Sequence, residues 1–136
     1  MTSFSYTPLL PVGADDTEYE LITSEHVSTL ELDGERYIKV APEGLCLLSE
    51  RAFKDISHLL RPAHLAQLRA ILDDDEATKN DRFVALEMLK NAVVAADGVL
   101  PMCQDTGTAL ITATKGARVL TGGDDAKHLS EGDYNT

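Results

Sequence analysis

Tryptophan is absent from the 136 residues, cysteine occurs only twice, and 12 lysines and arginines stand against 23 aspartates and glutamates. Each shortage excludes something. With only three Phe and four Tyr to supply rings, the core must be mainly aliphatic. A net charge of −11 argues against a nucleic-acid partner, because phosphate backbones are bound by clustered Lys and Arg that release counterions. The same field repels anionic substrates, so a site for a carboxylic acid needs cations from elsewhere in the polypeptide or from an assembly. No run of 18 apolar residues is available to span a bilayer. Met1-Thr2-Ser3-Phe4 opens neither a basic leader nor an Arg-rich amphipathic helix, and a cytoplasmic location is the expectation. Cys46 and Cys103 are far apart and lack zinc-site spacing. A reducing compartment leaves each to be explained singly.

What is present reads as one soluble domain or part of a larger one, since 43% hydrophobic and 26% charged residues are ordinary for a globular chain. Residues 1–18 hold Pro8, Pro11, Gly13 and an acidic cluster, and read as an extended arm. Tyr19 to Thr23 and Tyr37 to Val40 are strand candidates, with Asp33-Gly34 supplying turn chemistry between Leu32 and Glu35. From Ser49, a candidate N-cap, the period becomes helical through Ala52, Phe53, Ile56, Leu59 and Leu60, and this helix should stop near Arg61. Pro62 suits the first turn of a second helix bearing Leu65, Leu68, Ile71 and Leu72. A third begins near Asn80 or Asp81 and ends at Gly98. Beyond Pro101 the period falls to two. Ala109 to Thr114 and Ala117 to Thr121 then predict a hairpin across Lys115-Gly116, followed by a turn and an aborted helical start around Asp125 to Leu129. The expected fold class is α+β, amphipathic helices followed by a short antiparallel sheet.

One stretch carries chemistry: Gly98-Val99-Leu100-Pro101-Met102-Cys103-Gln104-Asp105-Thr106-Gly107-Thr108-Ala109, between the long helix and the predicted strand. A thiol, an amide, a carboxylate and a hydroxyl are successive here. These are the soft-ligand, donor and acceptor types that a polar reaction at a metal centre uses. On the residues alone, a cysteine such as Cys103 is more often a buried free thiol than a ligand, and Gln104 and Asp105 suit a cap or turn.

Pro101-Met102-Cys103-Gln104-Asp105-Thr106-Gly107-Thr108-Ala109 resembles the cluster-ligand signature of class I, iron–sulfur-dependent fumarate hydratases and the related tartrate dehydratases. Asp15-Asp16-Thr17-Glu18-Tyr19, Val40-Ala41-Pro42-Glu43, Leu60-Arg61-Pro62-Ala63-His64 and Thr121-Gly122-Gly123 also resemble the single-chain form of that family, from about residue 15 onward. The resemblance implies a hydro-lyase of the tricarboxylic acid cycle that reversibly hydrates fumarate to L-malate at a [4Fe–4S] cluster held by three cysteines. Cys103 matches the first of these ligands, Asp105 is implied as a catalytic and substrate-contacting carboxylate, and Gln104 as a substrate-binding amide. It further implies that residues 19–136 are an incomplete part of the family's N-terminal α/β domain, truncated at the C-terminal end. The other ligands, the basic substrate clamp and the carbon base would then lie in the remainder of the chain, and the complete protein would form a homodimer.

The bland readings stand beside these. Cys46, in Leu45-Cys46-Leu47-Leu48, reads as a small core hydrophobe. His26, His58, His64 and His128 have no metal-set spacing, and Thr121-Gly122-Gly123-Asp124 lacks the lysine of a phosphate loop and reads as a turn. From other classes come a non-catalytic scaffold module that keeps the fold, and a thiol redox sensor using Cys103.

Overall fold

The computed structural model describes residues 18–102 and 107–136. The predicted arm falls almost wholly on residues outside this set. In chain order the elements are β1 (Val27–Leu32), β2 (Glu35–Val40), α1 (Pro42–His58), α2 (Pro62–Asp73), α3 (Lys79–Ala95), β3 (Val119–Leu120) and α4 (Asp125–Tyr134).

The hairpin forms where the turn chemistry placed it. Asp33 and Gly34 both take positive φ, 52° and 78°, as a two-residue turn matched to strand twist requires. Antiparallel pairing then sets Val27 opposite Val40 and Thr29 opposite Ile38 on one face, with Leu30 opposite Tyr37 on the other. Tyr19 to Thr23, expected as a strand, has no regular structure. It runs beside α1, where Glu20 pairs with Arg51 at 3.0 Å; alternation in sequence gives a strand only where an edge is free to receive it.

Helix α1 starts seven residues before the predicted Ser49. Pro42 occupies the first turn, where its missing N–H costs nothing and its φ is already helical. Ser49 is therefore a buried mid-helix residue rather than a cap. The evenly apolar run from Leu45 to Leu48 had concealed the helical period. The end comes at His58, because Arg61 precedes Pro62 and is pushed to extended geometry (ψ 142°). Helix α2 follows from Pro62 as expected. Helix α3 opens with a capping box, in which the Asp81 N–H donates to the Thr78 hydroxyl and the Thr78 N–H donates to the Asp81 carboxylate. Gly98 turns the chain away with φ +73°.

The largest departure is at the C-terminal side. The predicted hairpin across Lys115-Gly116 is absent: residues 108–116 have no regular structure, a turn closes Val119 N–H on the Gly116 carbonyl, and only Val119–Leu120 is a strand. That strand pairs parallel to β2, so the sheet is mixed, ordered β1-β2-β3, and its antiparallel pair precedes the helices. The class remains α+β. Polar–apolar alternation marks extended chain but does not name a partner, and the free edge of β2 accepts the chain through Ile38 N–H and the Arg118 carbonyl at 2.9 Å.

The aborted helical start is the ten-residue α4. Its Gly132 weakens helix propensity by about 1 kcal/mol relative to Ala, which hides the helix from a sequence reading. The same glycine lets α4 cross α1 closely. A Cβ there would lie 2.8 Å from Ser49 Cβ and nearer still to the Cys46 carbonyl oxygen. Helices α2 and α3 pack on one another as a second pair. Among the described residues the buried apolar ones are Leu68, Ala85, Ala92, Ala95 and Met102, while Phe83 is 61% exposed. No helix among the described residues is long and apolar enough to cross a membrane.

Gly132→Ala should lower stability by about 1–3 kcal/mol in denaturant unfolding, because the overpacked crossing outweighs the gain in propensity. The capping box adds a pH dependence. The Thr78 hydroxyl, then its backbone N–H, hold the Asp81 carboxyl below its ordinary value, so its stabilisation is full above the ordinary Asp range and lost as pH falls through the depressed value. Thr78→Ala should remove that acid-limb component from the unfolding midpoint, measured against pH.

Candidate functional site

Cys103, Gln104 and Asp105, together with Thr106, lie outside the described residues, so the candidate site is built here from its two flanks.

On the N-terminal flank, α3 ends at Ala95 and the chain returns to α1. Met102, 7% exposed, donates its backbone N–H to the Ser57 carbonyl at 2.9 Å. Ser57 is in the last turn of α1, where carbonyls have no intrahelical partner. The Ser57 hydroxyl meanwhile donates to the Phe53 carbonyl at 2.6 Å. The residue immediately before Cys103 is thus tied to a helix end by a buried side chain and a backbone hydrogen bond.

On the C-terminal flank, Gly107 takes φ +150°, open chiefly to glycine. The chain then runs exposed through Arg118, and within that run the Lys115 ammonium donates to Thr121 Oγ1 at 2.9 Å and to Asp125 Oδ2 at 2.7 Å. Thr121 is 5% exposed. The hydrogen bond from Lys115, with the Thr121 hydroxyl second, holds the Asp125 carboxyl below the ordinary carboxylate range. Between them Gly122 (φ 81°), Gly123 (φ 100°) and Asp124 (φ 55°) make three consecutive left-handed residues. This is the turn expected of Thr121-Gly122-Gly123-Asp124, and it delivers the chain from β3 into α4.

Sequence reasoning missed both anchors. Lys115 was placed in a hairpin turn, and its partners six and ten residues on become visible only once α4 exists. The Ser57 carbonyl has no side-chain signature at all.

Cys46 and two of the histidines take up local partners. Cys46 is half-buried at the α1–α4 crossing and accepts Asn135 Nδ2–H at 3.6 Å. His58 donates Nδ1–H to the Lys54 carbonyl at 2.8 Å, and His128 Nδ1 is 3.8 Å from the Glu131 carboxylate. Among the described residues no three His, Cys, Asp or Glu side chains are grouped to hold a metal. Five of the twelve Lys and Arg residues, Arg51, Arg69, Lys90, Lys115 and Arg118, each pair with a carboxylate of this chain.

Comparison with known proteins adds an independent line. Residues 47–136 match the family model for fumarate hydratase (fumerase). The chain is 56% identical to a protein of Escherichia coli K12 named "Fumarate hydratase class I, anaerobic", over 98% of this chain and 24% of that protein. It is 44% identical to "Fumarate hydratase 1, mitochondrial" of Leishmania major, over 99% of this chain and 25% of the relative. A further L. major protein, "Fumarate hydratase 2", is 46% identical over 83% of this chain and 20% of its own length. The chain therefore spans about a quarter of the length of the curated relatives it matches.

Replacing Lys115 with Met should raise the Asp125 carboxyl pKa toward the ordinary Asp value, followed by carbon NMR titration of that carboxyl. An unchanged titration would mean that Lys115 does not hold it.

Proposed function

Because the chain belongs to the class I fumarate hydratase family, we propose that it is the N-terminal part of a hydro-lyase that adds water reversibly across the double bond of fumarate to give L-malate. The observation that carries this is 56% identity over 98% of the chain, a span that includes the segment around Cys103. Cys103, Gln104 and Asp105 are the residues we assign to the reaction.

The donor set can be tested against the group the family implies. Thiolate sulfur is the ligand type of a [4Fe–4S] cluster, and Cys103 follows a residue anchored to α1 through the Met102 N–H. Cys46 is engaged in helix packing. One thiolate cannot hold a cluster alone, so the other ligands are assigned to the rest of the polypeptide, and the 136 residues by themselves are inactive. When bound, the cluster supplies an iron corner that acts as a Lewis acid toward substrate oxygen.

The chain's own residues account for the rest. In the dehydration direction the hydroxyl of malate must leave with a proton, and hydroxide is a poor leaving group at neutral pH. Asp105, two residues beyond the ligand, is assigned to give that proton to the departing oxygen and, in hydration, to take it from the attacking water. The second proton, from carbon, goes to a base in the remainder of the chain. Gln104 donates an amide N–H to a substrate oxygen without adding charge. The dicarboxylate needs clustered cations, and a chain with a net charge of −11 is poorly supplied with them. They too are assigned to the remaining polypeptide, in a homodimeric, cytoplasmic enzyme of the tricarboxylic acid cycle.

In the complete protein prepared without air, Cys103→Ser should lose both cluster iron and hydratase activity, while Cys46→Ser keeps both. Asp105→Asn should retain iron and lower kcat by about 10²–10⁴-fold, the usual share of a general acid–base group. Complete protein that hydrates fumarate while containing no iron or sulfide would sink the assignment.

A further inference from the structure

Between the sheet and the α1–α4 pair lies a cleft of about 680 Å³. It is walled by Val40 and Val119 from the sheet, by Leu48 and Leu129 from the helices, and by Leu21 and Ile22 from the chain that leads into β1. These walls are poorly covered: Leu21 is 79% and Leu48 49% exposed. Packed layers ordinarily share one hydrophobic core, so the surface asks for an apolar occupant. Lys115, the one cation among its described lining residues, is spent on Thr121 and Asp125, which leaves nothing to hold an anion. Asp125 Oδ1 is buried there with no partner among the described residues, and an acceptor in that position asks for a donor.

We propose that the occupant is residues 4–12 of this chain, Phe4-Ser5-Tyr6-Thr7-Pro8-Leu9-Leu10-Pro11-Val12, an intramolecular strap that fills the cleft with its apolar side chains and donates a hydroxyl hydrogen bond to Asp125. Placement selects this segment first. The described chain enters at Glu18, and from Glu20 to Thr23 it is itself a wall of the cleft. The strap is thus tethered at the rim and competes at high effective concentration with any free ligand. Composition selects it again. Residues 1–14 hold no Asp, Glu, Lys or Arg, the longest such run in a chain that is 26% charged. Phe4, Leu9, Leu10 and Val12 bring apolar bulk, and Ser5, Tyr6 and Thr7 bring the hydroxyl donors that Asp125 lacks. Pro8 and Pro11 lessen the entropy lost when an extended run is fixed in one place. A second copy of the chain would instead bring another −11 charges to an already acidic surface. With the strap seated, the Lys115–Asp125 pair is shielded from water, where opposite charges attract more strongly. None of this depends on the hydratase reading.

The test uses the complete protein with a photo-reactive benzophenone side chain in place of Leu48, a second preparation with it in place of Leu129, and a control with it in place of Phe83, an exposed residue of α3 that does not line the cleft. Nitrogen-14 and nitrogen-15 copies are mixed, illuminated, digested and read by mass spectrometry. The expected result is an adduct within one copy, from Leu48 or Leu129 and not from Phe83, to the peptide that contains residues 4–12. An adduct only to other parts of the polypeptide, an adduct only between copies, the same adduct from Phe83, or no adduct would overturn the proposal. Carbene footprinting supplies a second arm without a bulky probe, and both results are required. Removing residues 1–14 from the complete protein should raise labelling of Leu48 and Leu129 several-fold and leave Leu68, buried on α2, unchanged. No rise, or an equal rise at Leu68, would also overturn it. Neither readout involves fumarate or iron, so a failure here is distinct from a failure of the hydratase assignment.

Discussion

The crossing of α4 over α1 is the contact from which the rest follows. It exists because Gly132 presents no Cβ to the Cys46 carbonyl and to Ser49. Seated there, α4 brings Asp125 at its first turn to Lys115, and that ion pair ties the exposed run of residues 107–118 to α4. The other end of the segment returns to the same helix, through Met102 and the Ser57 carbonyl. Both flanks of the proposed ligand therefore refer to α1, one directly and one through a helix whose seat depends on a single absent methyl group. In close-packed protein such a contact is felt at the scale of one carbon atom.

Charge works at a different range. A chain with 23 acidic and 12 basic residues, five of the latter paired with its own carboxylates, carries a net negative field. Exposed pairs such as Arg69 with Asp73 and Lys90 with Glu87 support their helices and contribute modestly to stability. On the proposed reading, Cys103 and Asp105 belong to the metal side of a site whose anion-binding side is supplied by another part of the protein.

The packing points the same way. The described residues enclose Leu68, Met102 and three alanines, and no large side chain is fully enclosed among them. Burial of apolar area is the main favourable contribution to folding, and side chains such as Leu48, Val93 and Leu110 keep much of theirs exposed.

Much of this was legible in the residues before any coordinates. Asp33-Gly34 names its own turn, Pro62 and Gly98 mark a helix start and a helix exit, and the segment around Cys103 carries the family. These signals are local, because backbone φ preferences, missing N–H groups and ligand chemistry are properties of a residue and its neighbours. The early start of α1, the existence of α4, the parallel seat of Val119–Leu120 and the engagement of Lys115 were not legible. In each case the deciding partner is distant in sequence or is a backbone group: the free edge of β2, the carbonyl of Cys46, the last-turn carbonyl of Ser57. By itself the sequence determined the family and the places of the Asp33-Gly34 turn and the Gly98 exit. Only the tertiary structure decided that α1 receives both Met102 and α4, because a backbone carbonyl and a close approach at glycine have no partner written in the sequence until the fold supplies one.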